Sequence, residues 1–119
     1  MSIASVEHGY FVFRPAETSG KGEFKGSSMM AVLLVLYETK DDENRKKMMH
    51  ALKARHPNSI ELTKTACAVH TRLLPVRIFD QLKEYLRSDD RLYVIPLSQP
   101  YVGYGPRETT QWLSDYLAA

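Results

Sequence analysis

A single cysteine, Cys67, stands in the 119 residues. One thiol makes neither an internal disulfide nor a thiolate metal cage, so a reducing cytoplasm is the expected compartment. His50, His56 and His70 show no H-x-x-H or H-E-x-x-H spacing, which leaves zinc without support. The longest apolar run, Met29 to Tyr37, falls well short of the roughly 20 residues that span a bilayer. The N-terminus lacks the apolar segment of a signal peptide. Charge of one sign is scarce too: 16 Lys and Arg against 14 Asp and Glu leave a net +2. Nucleic-acid binding cannot be argued from that total, so a basic face has to be local.

What is present suits one globular domain with a modest core, at 44% hydrophobic and 25% charged residues. Its centre is the stretch Met30 to Asp42. Ala31 to Glu38 reads as a strand that is apolar on both faces, which suits the middle of a covered sheet or a subunit interface. It delivers a carboxylate, Glu38, to its own C-terminal end. Asp41 to Arg55 reads as a helix, acidic in its first turn and basic in its last, as the helix dipole favours. Met48, Met49, Ala51 and Leu52 give it one apolar side, and His56-Pro57-Asn58 stops it. Ser59 to Thr71 alternates as a hairpin turning near Lys64, without Asn-Gly turn chemistry. Pro75 to Arg87 carries a helical stripe of Ile78, Phe79, Leu82, Tyr85 and Leu86. Arg91 to Leu97 is a strand whose Pro96 marks an edge or a bulge. Gln99 to Gly105 is a loop with two tyrosines. Pro106 to Leu117 is a final helix with Thr109, Trp112, Leu113, Tyr116 and Leu117 on one face.

Residues 1–28 differ in character and read as an N-terminal arm or extension, with the domain at 29–119. Glu7 to Arg14 is rich in Tyr, Phe and Val and fits a strand. Gly20 to Ser28 reads as a flexible connection. The plainer reading is an arm with no fixed place; the sharper one is a strand covering a sheet edge or a partner.

From Ala31 the order is strand, helix, strand, strand, helix, strand and terminal helix. Two such halves give an α+β, ferredoxin-like βαββαβ domain, a four-stranded antiparallel sheet with two helices on one face. The other face needs cover from a second subunit, the arm or the last helix.

Val35-Leu36-Tyr37-Glu38, then Asp41-Asp42, then Arg45-Lys46-Lys47, resembles the opening of the small CRISPR-associated dimeric protein of the integration complex, the second Cas protein. Leu82 to Leu97, with Asp90-Arg91-Leu92-Tyr93-Val94-Ile95 as its best match, resembles the related stand-alone SinR-like ferredoxin-fold proteins. So do Tyr101-Val102-Gly103-Tyr104 and the Trp112 helix that follow. The resemblance spans about residues 30–117. It implies a homodimer packed through its sheets, with an acidic residue from each subunit at the seam. In members described as nucleases that residue is an aspartate that binds a divalent metal. Glu38 matches it here, with its carboxylate one methylene further out. Other members act as adaptors that hold DNA and integrase dimers without cutting.

Glu38, Asp41 and Asp42 are therefore the candidate Mg²⁺ site, with Glu38 as the catalytic carboxylate. The alternative is that Asp41 and Asp42 only cap a helix. Arg45, Lys46, Lys47, Lys53 and Arg55 are the candidate nucleic-acid contacts, against a merely solvated helix face. Tyr101, Tyr104 and Trp112 either stack bases or, more simply, pack the last helix onto the sheet. Cys67 reads as a small buried residue. Three functions fit: a dimeric nucleic-acid-associated scaffold, a Mg²⁺-dependent endonuclease using paired Glu38, or a phage or mobile-element module that binds a defence or host protein.

Overall fold

The computed structural model describes residues 2–7, 10–15 and 30–117. Two short strands, β1 (Ser2–Glu7) and β2 (Tyr10–Pro15), come first, followed by β3 (Ala31–Glu38) and α1 (Asp42–Arg55). Next are β4 (Ser59–Thr63), β5 (Ala66–Thr71), α2 (Pro75–Leu82), a 3₁₀ turn at Lys83–Tyr85, β6 (Arg91–Leu97) and α3 (Arg107–Tyr116). The large sheet has the order β4-β5-β3-β6, antiparallel throughout. An α+β chain with a four-stranded antiparallel sheet and three helices is the observed architecture, and it is compatible with a ferredoxin-like fold.

β3 is central because it is apolar at every inward position of both faces. Its odd residues Leu33, Val35 and Tyr37 lie at 1% exposure or less and pack with Met48, Met49 and Leu52 of α1 and Ile78 and Leu82 of α2. Cys67 and Val69 of β5 complete this layer. Burying one such Leu or Val side chain contributes about 1.5–3 kcal/mol. The even residues serve the opposite face. There Val32 and Ala68 are buried with Leu117, and Trp112 and Leu113 of α3 pack against them beside Ile60, Leu62 and Leu97.

The hairpin turns at Lys64 and Thr65 without glycine. Thr63 Oγ1 accepts the Thr65 backbone N–H at 3.1 Å, and the Thr65 carbonyl takes the Tyr37 N–H at 2.9 Å. A register shift between Glu61 and Thr63 accommodates the bend. β6 is an edge strand, where Pro96 is tolerated.

Two expectations change. The helix read over Pro75 to Arg87 stops at Leu82 and tightens into the 3₁₀ turn. One distant and one local bond compete with the helix: the Tyr85 carbonyl accepts Asn44 Nδ2 at 2.6 Å from 41 residues away, and the Arg87 N–H donates to Asp90 Oδ2 at 3.1 Å three residues on. These backbone groups are drawn out of the helical ladder. The single strand expected over Glu7 to Arg14 is instead divided between two antiparallel strands: Glu7 ends β1 and Tyr10 begins β2, with Ser2 opposite Pro15 and Glu7 opposite Tyr10. The connection expected at Gly20 to Ser28 lies outside the described residues. No helix among the described residues is long and apolar enough to cross a membrane.

Candidate functional site

The carboxyl end of β3 is fixed by a buried polar network. The Tyr37 hydroxyl donates to Asp90 Oδ2 at 2.9 Å and accepts from Asn44 Nδ2 at 2.8 Å. Asn44 and Asp90 are 6% and 3% exposed, so these bonds replace water that the groups cannot reach. Burial first, and then the bond to Asp90, push the Tyr37 hydroxyl pKa up to about 12. The network ties three segments together: the end of β3, the first turn of α1 and the connection into β6. It thereby sets the direction in which Glu38, Asp41 and Asp42 leave the sheet.

Those three carboxylates do not converge. Asp41 is the N-cap of α1: its Oδ1 accepts the N–H groups of Glu43 at 3.0 Å and Asn44 at 3.3 Å. Its Oδ2 accepts Arg87 Nη1 at 2.7 Å. Asp42 is held by Arg45 Nη2 at 2.9 Å and by Lys46 at 3.6 Å, and the Arg45 hydrogen bond depresses its pKa. Glu38 is 3.6 Å from Arg91 Nη1, with both side chains 69% exposed. A cation held by all three would have to displace three arginines. Among the described residues no group of three or more His, Cys, Asp or Glu is placed to hold a metal ion. Glu38 is the least committed of the three, since a long, exposed ion pair is worth little.

The basic residues of α1 also separate. Arg45 is occupied: its side chain is only 16% exposed and it bonds Asp42 and the Lys64 carbonyl. Lys46, Lys47, Lys53 and Arg55 are exposed. Lys46 and Lys53 sit on one line of the helix by their spacing of seven, and His50 falls between them. His50, for which the histidine spacing supports no zinc role, is exposed. Lys46, Lys47 and His50, with Glu43, Ala51 and Tyr85, line an open depression of about 510 Å³.

The aromatic residues split as well. Trp112 packs, as the simpler reading had it. Its Nε1 donates to Asn58 Oδ1 at 3.0 Å and its ring lies 4.8 Å from that of Tyr116, which in turn meets His70 at 4.6 Å. Tyr101 and Tyr104 do not pack the last helix down: they are 41% and 106% exposed. Cys67 is fully buried, and burial raises its thiol pKa, so it is a core residue and no nucleophile at neutral pH.

α3 covers only part of the outer sheet face. Towards the Glu38 end Leu34 and Leu36 are half-buried, Tyr93 is 59% exposed and Ile95 43%. A pocket of about 210 Å³ opens there, lined by Leu36, Tyr37, Glu38, Thr65, Arg91 and Tyr93. Arg91, Thr65 and Tyr93 are site residues that no motif announced. Once β6 pairs with β3, the register Glu38↔Arg91 brings them in.

Compared with known proteins, the chain matches no family model, no curated protein sequence and no solved structure.

Proposed function

We propose that the chain is a homodimeric, nucleic-acid-associated scaffold protein of the kind suggested by its resemblance to the CRISPR adaptation family. The observation that carries this reading is a pair of surfaces exposed among the described residues. One is the apolar half-face of Leu34, Leu36, Tyr93 and Ile95, which suits a second copy. The other is the exposed line of Lys46, His50 and Lys53 with Lys47 beside it, which suits phosphates and is doubled in a dimer. Arg45 drops out of the contact set because Asp42 and the Lys64 carbonyl hold it.

Fluorescence anisotropy with single-stranded and duplex DNA and RNA, titrated against salt, tests the reading. Binding is expected to weaken linearly in log salt. The triple variant Lys46→Ala, Lys47→Ala, Lys53→Ala is expected to reduce the magnitude of that slope on duplex DNA by about 2–3 for each copy in contact, since each lost phosphate contact removes about 0.9. No binding to any nucleic acid rejects the scaffold and leaves a protein-interaction module, read out as a stable heterocomplex.

A second reading, the Mg²⁺-dependent endonuclease, is favoured by one observation. Glu38 lies at the rim of the open face, exposed and, among the described residues, paired with Arg91 at 3.6 Å, so a two-fold axis there brings two copies of it together. Cleavage that requires Mg²⁺ and disappears in Glu38→Ala establishes the enzyme. Binding without cleavage in both proteins establishes the scaffold.

A further inference from the structure

We propose that the pocket at the Glu38 end of the open sheet face receives Tyr104 from a second copy of this chain, so that two copies exchange the loop 98–106. The inference rests on the homodimer reading above and says what holds the two copies in register.

The pocket has apolar walls, Leu36 and Tyr93, and a polar side formed by Thr65 and the Glu38–Arg91 ion pair. Its volume of about 210 Å³ admits one large side chain. A ring with a hydroxyl at its tip suits that combination, because tyrosine is apolar in body and needs a polar partner at one end. The loop presents such a group. Tyr104 is 106% exposed and Val102 98%, so neither contributes burial to its own chain. Gly103 and Gly105 flank Tyr104, and a Cβ at either would meet nothing within 4 Å. The tip of the loop, Val102 to Gly105, is therefore open to solvent.

The register places loop and pocket at opposite ends of one strand pair. Glu38 faces Arg91 at the pocket end, and Val32 faces Leu97 at the other, from which the loop departs. A single chain therefore separates them by six residues of strand, roughly 20 Å. A two-fold axis lying between two open faces and across the strands reverses strand direction. It sets the loop end of each copy over the pocket end of the other, as an isologous interface requires.

The test is the full-length variant Thr65→Cys, Tyr104→Cys under mild oxidation, with sedimentation velocity on Tyr104→Ala. Cys67 is buried and does not compete. Expected are a disulfide-linked dimer from the double variant and from neither single variant, and a dimer dissociation constant raised at least about tenfold in Tyr104→Ala, the response of an aromatic anchor. The proposal is overturned by a double variant that stays unlinked or links within one chain. An undiminished Tyr104→Ala dimer overturns it as well, and both leave the homodimer standing. Linkage of Thr65→Cys to Phe11→Cys overturns it too, assigning the pocket to the N-terminal hairpin. A wild-type monomer at all concentrations removes the homodimer reading itself.

Discussion

The two faces of the large sheet are built from alternate residues of the same strands, yet they end in different states. On the helix side Leu33, Val35 and Tyr37 meet α1 and α2 and are closed off from water. On the outer side Val32 is closed off by α3, while Leu34 and Leu36 are only half-buried and Tyr93 and Ile95 stay in solvent. The inner face is finished by its own chain, so its residues answer to packing. Among the described residues 30–117 the outer face is covered where α3 reaches, and what lies beyond it, including the Glu38–Arg91 pair and the pocket, is exposed and suits contact with something else.

The sharpest way to break this contrast is in the inner layer. Leu33→Ala removes a side chain at 1% exposure from a layer closed on both sides. A loss of about 2–5 kcal/mol in folding free energy is expected from urea titration. A loss below about 1 kcal/mol means that the layer is loosely packed, and the distinction between the faces fails.

The polar corner of the same face comes next. Tyr37→Phe keeps the ring but leaves the buried Asp90 carboxylate without its hydroxyl donor, for an expected loss of about 1–3 kcal/mol. The wild type carries a pH signature of the same bond. Folding raises the Tyr37 pKa from 10.0 to about 12, so the folded state holds its proton more tightly than the unfolded one. The stabilisation is complete below pH 10 and is lost as pH rises from 10 towards 12, up to about 2–3 kcal/mol. Denaturant midpoints measured across that window are expected to fall in the wild type, and to fall by less in Tyr37→Phe. Parallel curves reject Tyr37 as the titrating group.

Much of this was readable in the chain, for a physical reason. Periods of 2 and 3.6 in apolar residues, a Pro at the start of α2 and acidic and basic helix ends are local signals, and they placed β3, α1, β4, β5, β6 and α3 to within a residue or two. What local signals do not carry is which residues meet across the fold. The shortening of α2 follows in part from Asn44, which bonds the Tyr85 carbonyl from 41 residues away; the bond from Arg87 to Asp90 is local. Arg87 bonds Asp41 from 46 residues away, so the acidic cluster looked free when it was already committed. Glu38 was legible as the end of a strand, but its neighbour Arg91 emerges only from strand register. Ser2 to Glu7 escaped notice as a strand because its short polar residues give a weak period, and its partner is the aromatic segment beside it.

The outer face offers the middle-sized test at the point where α3 begins to cover it. Trp112 donates to Asn58 at 3.0 Å and meets the Tyr116 ring, which in turn meets His70. Trp112→Phe keeps most of the apolar contact and loses the hydrogen bond, so about 0.5–1.5 kcal/mol is expected. A larger loss, with α3 released, would show that this one bond rather than apolar burial seats the helix.

The smallest effect is expected where cover is missing. Ile95 is 43% exposed on edge strand β6, and in a single chain its truncation should shift folding free energy by no more than about 0.5 kcal/mol. The sharper form of the measurement uses protein concentration as a variable. Two copies that bury this face together make stability rise with concentration, because association acts only on the folded state. Ile95→Ser should then leave the stability of the dilute protein unchanged and flatten its rise with concentration. An Ile95→Ser loss above about 1 kcal/mol that is the same at every concentration would mean that the chain itself covers this position, and the difference between the two faces would be one of degree.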